Sequence, residues 1–156
     1  MRFQFETMEE CWSEIVPLVQ DYFGSIGQTY LPSHDRYKEY EEAGDLFIVT
    51  ARDGHRLVGF AVMYVFRSMH TQLLGGQEDL FYLLPEYRKG WNALKLLSMA
   101  EEKCKEMGCT EVNMSARTGS KSGAILSGRG YAIVSQQYCK SLTGPTALHK
   151  LEELSQ

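Results

Sequence analysis

Residues 78–97 read EDLFYLLPEYRKGWNALKLL, from Glu78 to Leu97. Leu80–Leu84 is a short apolar run, which predicts a buried strand, and Pro85 stops it. Arg88, Lys89 and Gly90 make a brief turn. From Gly90 to Met107 the apolar residues Ala93, Leu94, Leu97, Ala100, Cys104 and Met107 recur at helical spacing, so a long amphipathic helix follows at once. Gly108 is placed to end it, with Lys103 and Lys105 where the helix dipole favours cations. A strand that runs straight into a helix gathers free backbone N–H groups and the positive end of a dipole at one point. Arg88 and Lys89 add charge there, and Gly90 permits close approach. Such a point suits a phosphate or pyrophosphate. An ordinary strand-to-helix turn with two solvent-facing basic residues is the competing reading. No GxxxxGK[ST] is present and no GxGxxG follows a strand, so neither a P-loop nor a Rossmann dinucleotide site is expected.

Upstream, Phe3 and Phe5 alternate with polar neighbours as in a short strand. Thr7 and Glu10 have capping-box spacing before a helix carrying Cys11, Trp12, Ile15, Leu18, Val19 and Tyr22. Pro17 is expected to bend that helix, and Gly24 and Gly27 to end it. Residues 25–32 read as a loop and His34–Glu42 as a shorter, charged helix. Leu46–Thr50 and Leu57–Phe66 are strands joined by an Asp53-Gly54 hairpin turn. Gly75-Gly76 reads as a break before the strand at Leu80. Downstream, Glu111–Ser115 is a strand, Ser120–Leu126 a short helix closed by Gly128 and Gly130, and Tyr131–Tyr138 a strand. A last strand or helix lies near Leu148 and Leu151. This order predicts one α+β sandwich domain over residues 1–156.

The chain has 156 residues, 44% of them apolar and 23% charged, which fits a globular domain with a core. No run of 18 apolar residues predicts a membrane span, and the N-terminus does not read as a signal peptide, so a cytoplasmic location is expected. The net charge of -4 is unevenly spread: 3 basic and 10 acidic residues in 1–50, 8 and 8 in 51–116, 5 and 2 in 117–156. The acidic balance argues against a nucleic-acid partner. Cys11, Cys104, Cys109 and Cys139 match no zinc or redox spacing, nor do the four histidines, so no metal is expected.

The stretch Leu83-Leu84-Pro85-Glu86-Tyr87-Arg88-Lys89-Gly90-Trp91-Asn92-Ala93 resembles motif A of the GNAT N-acetyltransferases. Arg88 matches the leading basic residue, and Gly90 and Ala93 lie near the small-residue positions. The turn is one residue short and Asn92 replaces a small residue, a pattern similar to bacteriophage-encoded members, which would act in the host cytoplasm. Gly130-Tyr131 resembles the family's closing Gly-aromatic pair. The resemblance implies an acyl-CoA N-acyltransferase-like fold: a mixed, mostly antiparallel central sheet with helices on both faces. It implies acetyl-CoA as acyl donor and a primary amine, on a small molecule or a basic protein, as acceptor. The pyrophosphate would lie on the N–H groups of Arg88, Lys89, Gly90, Trp91, Asn92 and Ala93. A backbone N–H of Tyr82, Leu83 or Leu84 would polarise the thioester carbonyl. Asn113 and Ser122 would lie along the pantetheine arm.

Glu78 is the first choice to take the proton from the amine. Asp79 faces the other way in a regular strand, and a bulge would change that. The family's fourth-helix tyrosine, five residues before the closing aromatic, falls here on Leu126. Tyr138 is the substitute for protonating the thiolate, which can also leave unassisted. Trp12, Tyr22, Tyr30, Asp35 and Tyr37 are candidates for the acceptor side, where aromatic and acidic groups suit a cation. A non-catalytic binding or inhibitory protein on the same fold is the second reading. Gln136–Leu142 could serve as an edge strand in a homodimer.

Overall fold

The computed structural model describes residues 1–143. Its elements are β1 (Arg2–Glu6), α1 (Met8–Ser25), α2 (His34–Glu42), β2 (Leu46–Asp53), β3 (Arg56–Arg67), β4 (Leu74–Leu83), α3 (Asn92–Glu106), β5 (Glu111–Asn113) and α4 (Lys121–Gly128). One sheet has the order β1-β2-β3-β4-β5, antiparallel except for the parallel β4–β5 pair. The chain divides into two compact units. One comprises residues 1–16 and 33–114, with the whole sheet; the other is built on residues 17–32 and those from 115 onward.

In the first unit, alternation along the strands separates two apolar layers. Phe47, Val49, Ala51, Ala61, Met63 and Leu83 pack with Leu96, Ala100 and Cys104, so α3 covers that face. The fully buried Leu96 extends the apolar stripe expected for α3. Thr50 and Arg52 point to the opposite face, where Arg52 reaches Glu14 of α1 at 2.8 Å. Arg52 is nearly buried, and its charge is matched by Glu6 at 2.8 Å as well as by Glu14. Burial alone would raise the pKa of Glu6. Hydrogen bonds from Arg52, Thr50 and Gln4 outweigh it and hold the carboxyl at about 2. The helix start follows the expected capping box: Thr7 N–H donates to Glu10 Oε2 at 2.7 Å, and Glu10 N–H to Thr7 Oγ1 at 3.4 Å. Met8 N–H donates to Glu41 Oε2 at 2.7 Å, tying α1 to α2. The helix α1 continues through Pro17, although proline cannot make the usual bond to the preceding turn.

Two expectations fail on tertiary grounds. Gly75-Gly76 is no break: β4 runs through both residues, and both are buried. A Cβ on Gly76 would lie 2.5 Å from Cys104 Sγ, and one on Gly75 would lie 2.9 Å from the Phe66 ring. These glycines leave room for a helix and an aromatic rather than make a turn.

In the second unit, Tyr131–Tyr138 is not a strand: residues 131–143 take no regular structure, and Ile133, Val134, Tyr138 and Leu142 are exposed. The apolar residues that suggested a strand find no neighbouring strand to pair with among the described residues. The edge-strand dimer read from Gln136–Leu142 therefore lacks its strand. Leu148 and Leu151 lie outside the described residues. Within this unit the Phe23 ring packs on Tyr22 and Tyr30, each at 5.5 Å. The short α4 ends at Gly130, φ +89°, in the left-handed region that glycine tolerates.

Candidate functional site: the end of β4 and the start of α3

After Leu83 the chain makes one turn of 3-10 helix at Pro85–Tyr87. Side chains then lock the turn. Tyr87 Oη donates to Asp53 Oδ2 at 2.8 Å, which also raises the pKa of Tyr87. Asn92 Nδ2 donates to the Tyr87 carbonyl at 3.0 Å. Arg88 Nε donates to the Leu83 carbonyl at 2.6 Å, and its guanidinium lies 5.5 Å from the centre of the Tyr82 ring. Asn92, the residue that departs from the expected small side chain, thus holds the turn closed, and Arg88 is partly committed to it. Lys89 is exposed.

Gly90 has φ +71°, so it reverses the chain at low cost. Trp91 stands at the N-cap of α3 with no side-chain capping bond, and it is 79% exposed. The first helical N–H bond is Lys95 to the Trp91 carbonyl, 2.8 Å. The N–H groups of Asn92, Ala93 and Leu94 precede it and point out of the helix start. Three such donors at the positive end of the dipole, preceded in the chain by the exposed Lys89, are groups that could hold a pyrophosphate.

The free edge of β4 leads to this point. β5 pairs with β4 only from Gly75 to Gln77, where Asn113 is the last partner. Asn113 is half-buried, and its Nδ2 donates to the Gly76 carbonyl at 3.4 Å, so it closes that short ladder. Beyond it, alternate backbone groups of β4 have no strand beside them among the described residues. Leu84 N–H donates to the Val58 carbonyl of β3 at 2.8 Å. By strand parity Tyr82 N–H also points to β3, in register with Phe60, whereas Phe81 and Leu83 point to the open edge. Of the three donors expected from sequence, Leu84 and Tyr82 are therefore spoken for and Leu83 remains. Phe81 was missed, because parity depends on a pairing that the sequence does not display.

The β3–β4 ladder carries an irregularity. Met63 pairs with Glu78 and Val62 with Leu80, so Asp79 has no cross-strand partner and forms a bulge. Asp79 Oδ2 accepts from Tyr37 Oη of α2 at 2.5 Å. The Tyr37 ring packs 5.5 Å from Trp12, which in turn stands edge-on to His34 at 5.1 Å. Desolvation of the carboxyl raises the pKa of Asp79, with the Tyr37 bond opposing, although the outer side of the residue is exposed. Tyr64 is also raised, first by burial, then by Asp79, Tyr40 and Glu78. Glu78 is half-buried beside this group. Asp35 is exposed, 3.6 Å from His34.

Ser122 and Leu126 lie on α4 of the second unit, where Ser122 is exposed. Tyr138 of that unit is 87% exposed and donates to Gln136 Oε1 at 3.1 Å. Among the described residues no cluster of His, Cys, Asp or Glu could hold a metal ion, and no helix is long and apolar enough to cross a membrane.

Comparison with known proteins bears on the family and the fold. The description of the acetyltransferase (GNAT) family matches residues 12–124. No curated protein matches the chain significantly. Solved structures are similar in fold. A ribosomal-protein-alanine N-acetyltransferase from Brucella melitensis biovar Abortus 2308 is 19% identical, with TM-score 0.67, covering 91% of this chain and 100% of its own. A glucosamine-6-phosphate N-acetyltransferase from Arabidopsis thaliana is 18% identical, with TM-score 0.64, covering 91% and 99%. An aminoglycoside acetyltransferase from an uncultured soil metagenomic sample, in complex with sisomicin, is 12% identical, with TM-score 0.70, covering 93% and 96%.

Proposed function

Because the chain belongs to the GNAT acetyltransferase family, we propose that it moves an acetyl group from acetyl-CoA to a primary amine of a small molecule or a basic protein. The observation that carries this reading is the uncapped start of α3 beside the open edge of β4. When bound, acetyl-CoA supplies an activated acyl group as a thioester. The N–H groups of Asn92, Ala93 and Leu94, with Lys89, would hold its pyrophosphate. Asn113, at the end of β5, borders the same edge, and the N–H groups of Phe81 and Leu83 are the candidates to polarise the carbonyl. Glu78 remains the candidate to accept the amine's proton. Tyr138 remains the candidate to protonate the thiolate and Ser122 a candidate beside the pantetheine arm, both on the second unit. The modest basicity of a thiolate would also permit departure without a dedicated acid. The resemblance of the short turn to bacteriophage members would place the activity in the cytoplasm of an infected host.

A non-catalytic binding role on the same fold is the second reading, favoured by Leu126 at the usual tyrosine position. One pair of measurements separates them. Calorimetric titration with acetyl-CoA should give saturable binding that Lys89→Glu weakens by about tenfold, the scale of one charge-assisted phosphate contact. Release of free thiol with amine acceptors should then follow. Binding without thiol release would favour the second reading, and no binding by the folded protein would end the first.

A further inference from the structure

The end of α3 brings together two thiols that no redox spacing in the sequence announces. Cys104 stands on the last turn of α3, and Cys109 lies just beyond it, before β5. Gly108 between them has φ +91° and turns the chain back on the helix. Two bonds then close the helix end: Gly108 N–H donates to the Lys105 carbonyl at 3.0 Å, and Cys109 N–H to the Cys104 carbonyl at 2.9 Å. In a helix end of this form the side chains at the two ends of the outer bond commonly meet. Here both are cysteines, and Cys109 packs against the core cluster that holds Cys104. A 2.9 Å bond limits the separation of their Cα atoms to about 6.8 Å, within reach of a disulfide. The two thiols differ in access. Cys104 is fully buried with Sγ against Gly76, whereas Cys109 is half-buried. Burial raises the pKa of both, and at Cys109 a hydrogen bond from the Cys104 thiol opposes the rise.

We infer that Cys104 and Cys109 are a peroxide-reactive dithiol that closes to an intrachain disulfide. The Cys109 thiolate attacks one oxygen of hydrogen peroxide and the O–O bond breaks, leaving a sulfenic acid and a hydroxide. The hydroxide takes up the proton that Cys109 gave up. Cys104 then attacks the sulfenic sulfur: the S–S bond forms, the S–O bond breaks, and the hydroxyl leaves with the Cys104 proton as water. In all, two thiols lose two electrons and one peroxide becomes two waters. The order follows from access, since the half-buried sulfur meets the oxidant and the buried one resolves it. The bond ties the end of α3 to the chain that enters β5. Nothing in it depends on acetyl-CoA, so it stands apart from the acetyltransferase reading.

The test exposes the full, folded chain, reduced beforehand and kept dilute, to excess hydrogen peroxide. The chain is then unfolded, its remaining thiols are alkylated, and tryptic peptides are mapped by mass spectrometry. Trypsin cuts after Lys103, Lys105 and Arg117, so the disulfide appears as Cys104-Lys105 joined to the peptide from Glu106 to Arg117. Cys104 and Cys109 should leave the alkylated set together, and dithiothreitol should return both. In Cys104→Ala, which cannot close the bond, dimedone should label Cys109 several-fold more than in the wild type. Cys109→Ser, changed at a half-buried position, serves where Cys104→Ala fails to fold; in it Cys104 should stay reduced and be alkylated on unfolding. Oxidation confined to Cys139, with Cys104 and Cys109 both alkylated, would overturn the inference. So would Cys109 joined to Cys139 in place of Cys104, or loss of the Cys104 thiol in Cys109→Ser.

Discussion

Arg88 and Lys89 are neighbours of like charge, yet their surroundings assign them different work. Both are exposed, but Arg88 Nε is bonded to the Leu83 carbonyl and its guanidinium lies over Tyr82, whereas no such contact holds Lys89 among the described residues. Replacing Arg88 by alanine removes one part-buried bond from a charged donor and one ring contact. The bond contributes about 1 kcal/mol after allowance for its exposure, and the ring contact about 0.5–1 kcal/mol. About 2 kcal/mol is roughly 4–8 °C in Tm for a chain of this length. Lys89→Ala should leave Tm within about 2 °C, since surface changes of this kind stay near ±0.5 kcal/mol. In acetyl-CoA titration the order reverses: Lys89→Ala weakens binding through charge alone, with unaltered stability. Thermal unfolding followed by circular dichroism, beside calorimetry on the same samples, measures both. An Arg88→Ala variant that keeps its Tm would refute the locking role and return Arg88 to the phosphate.

Gly76→Ala should destabilise the protein by about 1–3 kcal/mol, because its methyl would meet Cys104 Sγ at 2.5 Å. Combined with Cys104→Ala the loss should fall short of the sum of the single losses by at least about 1 kcal/mol in denaturant unfolding; strict additivity would mean the contact is absent. Glu6 has a folded pKa of about 2 against an ordinary 4.5, so its contribution is complete above pH 4.5 and is lost as pH falls through 2. That contribution is at most about 3.5 kcal/mol. The Tm gap between wild type and Glu6→Gln should therefore be widest near pH 6 and shrink toward pH 2; a constant gap would contradict the ion-pair account.

What could be read from the sequence was whatever depends on local period. The helix after Gly90, the Thr7–Glu10 cap, the Asp53-Gly54 turn and the His34–Glu42 helix follow from spacing of a few residues. What could not be read depends on partners far away in the chain. Gly75-Gly76 has the composition of a turn; pairing with β3 and β5 makes it strand, and Cys104 and Phe66 leave no room for a side chain there. Parity at Phe81 and Leu83 is set by the pairing of Leu84 with Val58. The Asp79 bulge rests on an offset of a single residue against Val62 and Met63, which leaves no trace in composition. Tyr131–Tyr138 shows the opposite error: a strand-forming composition with no partner strand among the described residues.

The four cysteines are not equivalent, and this bears on any assay that counts liberated CoA with a thiol reagent. Cys139 is exposed and Cys109 half-buried, whereas Cys11 and Cys104 are buried. Burial pushes both buried thiols up to about 12, with the charge of Glu6 adding at Cys11 and Cys109 adding at Cys104. Since only the thiolate reacts, the protein's own background should come as a fast count from Cys139 and a slower one from Cys109, with the last two released only on unfolding. The same colour reaction run without substrate is thus an internal gauge of how much of a sample is folded.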